Sequence, residues 1–234
     1  MPTNKKTLPI KNYPIQNSIE YQEKIINFYN NNNYVSFNTY LNLKNLLKEN
    51  FKSDETFNFL DFGGDKLDFF LDISKEFKNI NYYLINQTKV NEIISTVKDK
   101  YNYNNLKVLE SIDEVKKYNF DFVYFGSTIQ YLKDYEEYIN EILPITKKNI
   151  FFSATWFFSN DSSIEKIVVK QLNYLPQEFY LYFINIQPFL KIFQKHNFKI
   201  KFEKTNDSYS CSFKNFKDIE IKDIKYSDIL FGKY

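Results

Sequence analysis

Hydrophobic positions along the chain repeat in two ways, and the two periods predict different elements. Short continuous apolar runs alternate with longer segments in which apolar side chains recur every three or four positions. The runs predict buried strands, and the segments predict amphipathic helices. The predicted strands span residues 57–62, 80–85, 106–109, 121–125, 150–155, 198–202 and 229–231, and the predicted helices 18–29, 37–47, 66–77, 90–101, 113–117, 135–143, 164–172 and 188–196. Alternation of this kind is typical of an α/β fold with a mainly parallel sheet and helices on both faces.

The segment 57–65 has the most informative pattern. A strand-like apolar run ends at Phe62, Gly63 and Gly64 follow, and a helical period starts at once, with Asp65 as the expected N-cap. The chain has only four glycines, and a third one, Gly126, follows the predicted strand 121–125. Glycines directly after strands allow a ligand to approach the backbone, and open α/β sheets bind ligands at that edge. The pattern therefore predicts a ligand site there.

These residues resemble a known family. Residues 60–64, Leu-Asp-Phe-Gly-Gly, are similar to the first motif of Rossmann-like methyltransferases that use S-adenosylmethionine (SAM). Together with 126–132, Gly-Ser-Thr-Ile-Gln-Tyr-Leu, and the closing segment 226–231, they most resemble a bacterial group of methyltransferases associated with surface-polysaccharide biosynthesis. The resemblance covers about residues 40–234. It implies a sheet of seven strands, the last one inserted antiparallel. The two predicted N-terminal helices either form a cap beside this sheet or pack simply on its edge.

The resemblance also implies a set of cofactor-binding residues, for SAM as substrate and S-adenosylhomocysteine (SAH) as product. It assigns the first turn to the amino-acid part and ribose, the end of the second strand to the ribose, the segment after the third strand to the adenine, and Gly126 and Ser127 to the methionine side. Many such enzymes have an acid at the end of the second strand, where this chain has Asn86. The predicted set is Asp61, Gly63, Gly64, Asn86, Gln87, Ser111, Ile112, Gly126 and Ser127.

Two other functions remain open at this point. An NAD-dependent oxidoreductase is disfavoured, because the turn lacks the third glycine of the dinucleotide fingerprint and because Asp65 would repel a pyrophosphate. SAM carries a positive sulfonium and tolerates a neighbouring acid. A non-catalytic binding domain is the other alternative, since the acid after the second strand is missing and no general base is evident.

The acceptor side is predicted from aromatic residues. Tyr131 follows the fourth strand, where it either hydrogen-bonds an acceptor or anchors the loop to the core. The segment 174–183 is rich in tyrosine, whose rings suit a sugar and whose hydroxyls suit its polar groups. It also contains Glu178, either a base or a solvated side chain. We expect residues 1–50 to form an arm and cap, and 51–234 the SAM-binding domain, with an aromatic insertion near 159–187.

Composition limits the partners. The net charge is +2 with interspersed Lys and acidic residues, which disfavours nucleic acid. All basic residues are Lys, so no arginine can clamp a phosphate. Cys211 is the single cysteine, and no cluster resembles a metal site. His196 reads as the C-terminal end of a helix. Without an apolar signal segment or membrane span, we expect a cytoplasmic protein acting on a small or sugar-type acceptor.

Overall fold

The computed structural model describes residues 18–31, 41–159, 164–174, 177–206 and 222–234. Cys211 and the predicted arm 1–16 lie outside these ranges, as do the polar loop 160–163 and the first residues of the predicted helix 37–47. The helices are α1 Ile19–Asn30, α2 Leu41–Asn50, α3 Asp68–Glu76, α4 Thr88–Lys100, α5 Ile112–Val115, α6 Tyr135–Ile142 and α7 Ile186–Lys195. The strands are β1 Phe57–Phe62, β2 Ile80–Ile85, β3 Leu106–Leu109, β4 Phe120–Gly126, β5 Thr146–Ser159, β6 Lys166–Tyr174, β7 Gln177–Asn185, β8 Phe198–Thr205 and β9 Lys222–Lys233.

The chain divides into two compact units. Their boundary in the sequence lies between Val123 and Tyr124, within β4. In the first unit the strand order is β3-β2-β1-β4. β1 pairs with β2 in parallel from Phe57 opposite Ile80 to Phe62 opposite Ile85, and β2 pairs with β3 in parallel. The predicted bounds of these three strands are confirmed.

Aromatic rings fill the core of the first unit. Phe59 is fully buried and stacks on Phe122, with ring centroids 5.7 Å apart. Phe51 stacks on Phe57 at 4.0 Å, which joins the segment after α2 to the start of β1. Each such ring removes a large apolar surface from water, and offset stacking adds to that gain. The phenylalanine-rich strand pattern of the sequence therefore forms the core that holds the strand ends in place.

The N-terminal helix α1 belongs to the first unit, and its buried face packs on the rest of that unit. Tyr29 donates a hydrogen bond from its hydroxyl to Asp72 Oδ1 at 3.2 Å, and Ser18 caps the helix by accepting from Tyr21 N at 3.1 Å. The predicted N-terminus of this helix at Ser18 is confirmed. The domain boundary at residue 50 stays a prediction. Among the residues described, no helix is long and apolar enough to cross a membrane.

In the second unit, the long strand β5 pairs with two different partners. It pairs with β9 antiparallel, from Asn149 opposite Gly232 to Ser159 opposite Lys222. Near its end, Phe157 and Phe158 also pair in parallel with β7. The β9 pairing is interrupted by an irregularity around Ala154, which has a left-handed backbone (φ 54°) and donates from its N–H to Asp228 Oδ1 at 2.8 Å. β8 then pairs antiparallel with β9.

The prediction of a helix over 164–172 is wrong. This segment forms β6, which pairs antiparallel with β7, so the described sheet has nine strands and not the seven expected. Ile167 is buried, whereas its neighbour Val168 is 48% exposed. This alternation and the β-branched run Ile167-Val168-Val169 both favour a strand over a helix.

The predicted start of the third helix is also wrong. The helix begins at Asp68, after Leu67 at the N-cap position, and not directly behind Asp65. The Asp68 carboxylate accepts from Phe69 N at 2.8 Å. The residues between Gly64 and α3 therefore form a loop of their own, and Asp65 is part of that loop.

Substitution of Phe193 in α7 tests the packing of the core of the second unit. It is fully buried, stacks on Phe231 of β9 at 3.9 Å, and meets Phe152 of β5 edge-on at 5.6 Å. We expect Phe193→Ala to lower the free energy of unfolding by about 3–5 kcal/mol, because it leaves a cavity between α7 and the sheet. Urea unfolding measures the change. Phe28→Ala, on a ring that is 46% exposed, should change stability by less than about 0.5 kcal/mol, and equal effects of the two variants would contradict this assignment of the core.

Candidate cofactor site

The glycine turn after β1 is closed by the backbone. Gly63 has φ 91°, in the left-handed region that glycine adopts without strain. Its N–H donates to Ile85 O at 2.7 Å, so the turn is bonded to the last residue of β2. The chain therefore leaves β1 in a direction that only glycine permits at low cost.

Gly64 is required for a different reason, which is the close approach of Asp61. A Cβ on Gly64 would lie 2.6 Å from Asp61 Cγ, which is shorter than any normal contact. Asp61 is itself only 4% exposed, and Tyr82 of β2 donates its hydroxyl to Asp61 Oδ2 at 2.6 Å. Asp61 thus lies beneath the turn, between Gly64 and Tyr82.

Burial dominates the electrostatics of this carboxyl group. Burial raises the pKa of Asp61 from its ordinary 3.8 to about 7, the Tyr82 hydrogen bond opposes the rise, and the negative charges of Asp65 and Asp68 add to it. Burial also raises the pKa of Asp65. Asp65 and Asp68 are therefore close enough to Asp61 to act on it electrostatically, and each of these carboxyl groups favours a cationic ligand over an anionic one when it is ionised.

Asn86, the first residue after β2, bonds to the same turn. Its Nδ2 donates to Gly63 O at 2.9 Å and to Gly64 O at 2.8 Å, and its Oδ1 accepts from Gln87 N at 2.7 Å. Asn91 of α4 accepts from Asn86 N at 2.8 Å and donates to Asn86 O at 3.0 Å and to Leu109 O at 2.9 Å. The ends of β1, β2 and β3 are therefore linked by two buried carboxamides.

Ser111 and Ile112 follow β3 at the same edge, because Ile85 pairs with Leu109 in register. Ser111 is the N-cap of α5, and its hydroxyl accepts from Glu114 N at 3.3 Å. Ile112 is buried. The first unit thus brings together seven of the predicted site residues at the carboxyl ends of its strands: Asp61, Gly63, Gly64, Asn86, Gln87, Ser111 and Ile112.

Gln22 contributes to the loop behind the turn, a role that the sequence analysis missed. Its side chain is fully buried, donates to Asp65 O at 2.9 Å and accepts from Leu67 N at 3.0 Å. In α1 it lies on the buried face with Ile26 and Tyr29. A polar residue on an otherwise apolar helix stripe was the available signal, since a buried amide needs partners. Tyr82 gave no such signal, because tyrosine is an ordinary core residue of strands.

The second unit contains the two remaining predicted cofactor residues. Gly126 is next to the Tyr124 hydroxyl, which would lie 2.7 Å from a Cβ at Gly126. Ser127 has a left-handed backbone (φ 54°), and its N–H donates to Ser153 O at 2.9 Å. Gln130 donates to Ser127 Oγ at 2.8 Å and accepts from Trp156 N at 3.1 Å. This buried glutamine therefore holds the strained serine against β5.

The two predicted acceptor-side residues belong to the same unit. Tyr131 is half-buried and packs against a cluster of Phe158, Ile167, Leu181 and Phe183. Glu178 lies on β7, and its side chain is outside the described part of the structure. His196 is the C-cap of α7, as predicted. Within the described ranges, no group of three or more His, Cys, Asp or Glu side chains could hold a metal ion.

No protein-family model and no curated protein matches the chain. Solved structures do match it. The N-terminal domain of EvdMO1, crystallised in the presence of SAH and D-fucose, is 8% identical, with a TM-score of 0.57 over 92% of this chain and 95% of that one. Coclaurine N-methyltransferase, bound to N-methylheliamine and SAH, is 12% identical, with a TM-score of 0.55 over 82% and 72% of the chains. Residues 961–1257 of StiE, an O-methyltransferase, are 10% identical, with a TM-score of 0.55 over 82% and 73%.

The chain has the fold of SAM-dependent methyltransferases. At 8 to 12% identity, the likeness to these structures is one of fold. The α/β class predicted from the sequence is confirmed. In a methyltransferase fold, as in other open α/β sheets, the carboxyl edge of the strands is the expected ligand site.

Asp61 should make stability depend on pH. Its folded pKa of about 7 lies above the ordinary 3.8, so its contribution to stability is full below pH 3.8 and is lost as the pH rises through 7. At about 1.4 kcal/mol per pKa unit, the loss is on the order of 4 kcal/mol. We expect Asp61→Asn to remove this loss, because the amide still accepts from Tyr82 and carries no charge.

Urea unfolding of wild type and variant between pH 4 and pH 8 measures the difference directly. The free energies of unfolding should diverge in favour of Asp61→Asn as the pH rises. Asp54→Asn, which removes an exposed carboxylate, is the control for the substitution itself. Parallel curves for wild type and Asp61→Asn would show that the Asp61 carboxyl is not buried as described.

Proposed function

We propose that this protein is a SAM-dependent methyltransferase that binds SAM at the glycine turn and releases SAH. The observation that carries the proposal is the glycine turn after β1, which lies at the carboxyl edge of a methyltransferase fold and has the acidic residues Asp61, Asp65 and Asp68 in and beside it. SAM has a cationic sulfonium and a cationic amino group, which the ionised carboxyl groups of this turn attract. A dinucleotide would bring a pyrophosphate to the same place, where these groups repel it.

The residues of the proposed cofactor site follow the family resemblance. Asp61, Gly63 and Gly64 are assigned to the amino-acid part and ribose of SAM, Asn86 and Gln87 to the region of the ribose, and Ser111 and Ile112 to the adenine. In the second unit, Gly126 and Ser127 are assigned to the methionine side. Support comes from the bonded turn after β1 and from the bound SAH in structures with this fold.

For the acceptor we propose a small polar or sugar-type molecule that is methylated on oxygen, in the biosynthesis of capsule or another surface glycan. The acceptor hydroxyl attacks the SAM methyl carbon, the carbon–sulfur bond breaks, and the hydroxyl proton leaves to a base or to water. Tyr131 is proposed to hydrogen-bond the acceptor and Glu178 to accept the proton. The D-fucose present with EvdMO1 and the O-methyltransferase StiE support an acceptor of this kind.

A non-catalytic binding domain is the second candidate. It is favoured by one observation, which is that the residue after β2 is an amide whose side chain is hydrogen-bonded within the protein. SAM binding without turnover across a broad panel of hydroxyl acceptors would support this candidate over the enzyme.

Titration calorimetry with SAM, SAH and NAD tests cofactor choice. We expect heat with SAM and SAH and none with NAD, because the acidic turn favours the ammonium group that SAM and SAH share and repels the pyrophosphate. Gly64→Ala should abolish the signal, since its methyl group displaces Asp61. Gly232→Ala is the matched control, because the three heavy atoms nearest to the added methyl all belong to the flexible Lys201 side chain. Binding of NAD in place of SAM would refute the methyltransferase proposal.

Tyr180 tests the acceptor side. Its ring is 55% exposed on β7, beside Lys170 in the strand pairing. We expect Tyr180→Ala to raise the KM for a sugar-type acceptor about fivefold with little change for SAM, because a stacked aromatic contact of about 1 kcal/mol is lost. Steady-state methyl transfer from labelled SAM measures both constants. Tyr234→Ala, on a tyrosine that is 71% exposed at the end of the chain, is the control, and an unchanged acceptor KM in Tyr180→Ala would remove this strand from the acceptor site.

A further inference from the structure

We infer that Asn86 is a positioning residue, which holds the carbonyl groups of Gly63 and Gly64 and thereby shapes the turn before the cofactor binds. Its two N–H donors are held by the turn and do not bind the ribose. This inference rests on the proposed function as far as the cofactor is concerned. The positioning of the turn can be measured without any ligand.

The hydrogen-bonding capacity of the side chain supports this role. A carboxamide has two N–H donors, and both are used, at 2.9 Å to Gly63 O and at 2.8 Å to Gly64 O. The carboxamide oxygen accepts from Gln87 N at 2.7 Å. Asn86 is 6% exposed. Both donors of this side chain therefore serve the turn, and a ribose hydroxyl could meet only the second lone pair of Oδ1, on a side chain that is almost fully buried.

The backbone of Asn86 is fixed as firmly as its side chain. Asn91 bonds to both the N–H and the C=O of Asn86, and its Nδ2 also donates to Leu109 O at the end of β3. Asn91 is 5% exposed. The carboxamide of Asn86 is therefore presented to the turn from a framework that includes the ends of two strands and the first turn of α4.

The direction of the two carbonyls determines the direction of two N–H groups. Because a trans peptide is planar, its N–H points opposite to its C=O. With the carbonyls of Gly63 and Gly64 turned toward Asn86, the N–H groups of Gly64 and Asp65 point away from it. Asn86 thus sets the polarity of the turn, and a turn shaped in advance binds its ligand without the cost of ordering.

Charge explains why the residue is an amide and not an acid. An aspartate at position 86 would have the same shape, but it would direct carboxylate oxygens at two carbonyl oxygens less than 3 Å away, with no hydrogen between them. It would also add a fourth carboxyl group to a turn that already has Asp61, Asp65 and Asp68. The substitution Asn86→Asp therefore separates the two roles: a ribose ligand would gain from the acid, and a positioning residue would fail.

Binding measurements test the role in the cofactor site. We expect Asn86→Asp to weaken SAH binding about tenfold to a hundredfold, because two hydrogen bonds are lost. The same factor should apply to an SAH analogue that lacks the ribose hydroxyls, since the change acts through the turn. Unchanged or tighter SAH binding, or a loss confined to the ligand with intact hydroxyls, would overturn the inference.

The glycine count allows a test without ligand. The chain has four glycines, so protein labelled with ¹⁵N-glycine shows at most four backbone amide signals. In Asn86→Asp we expect the Gly63 and Gly64 signals to shift or broaden, while those of Gly126 and Gly232 stay in place. Four unchanged signals would overturn the inference even if SAH binding were lost.

Asn79→Asp is the matched control for both experiments. Asn79 is exposed, precedes β2, and donates to one backbone carbonyl, Asp54 O, at 2.8 Å. It should leave the SAH affinity and the glycine signals unchanged. If the wild-type protein bound neither SAM nor SAH, the proposed function would fail, and the glycine spectrum would still decide whether Asn86 positions the turn.

Discussion

The burial of Asp61 beneath Gly64 is the constraint on which the site depends. A carboxyl group with 4% exposure needs a hydrogen-bond donor and close packing, and Tyr82 and the bare Cα of Gly64 supply these. Any larger residue at position 64 would displace the carboxyl group and, with it, the turn. Burial beside two other acids raises the pKa of Asp61, so the stability of the first unit falls as this carboxyl group ionises.

The sequence predicted the framework of the first unit well, because that framework is local. The bounds of β2 and β3 and the glycines after β1 follow from apolar runs and turn residues that are adjacent in the chain. The family resemblance added which loops to examine. Pattern and resemblance together were enough to locate Asp61, Gly63, Gly64 and Asn86 at one edge of the sheet, and their role in binding a cofactor stays a prediction.

The partners of those residues could not be predicted, because they are distant in sequence. Asn86 bonds to carbonyls more than twenty positions earlier, and Gln22 reaches a loop more than forty positions later. Polar residue type indicates that partners exist but not which atoms they are. The hairpin of β6 and β7 was missed for a related reason: a short apolar run fits a helix or a strand until the pairing partner is known.

The strand β5 pairs with two neighbours to very different extents. β9 pairs along most of β5, whereas β7 joins it only at Phe157 and Phe158, beyond the irregularity at Ala154. The β6–β7 hairpin is thus attached at one end of β5, and the pairing of β5 with β9 does not include it. Because no residue of the hairpin takes part in the β5–β9 ladder, a change in the length of the hairpin leaves the hydrogen bonds of that ladder in place.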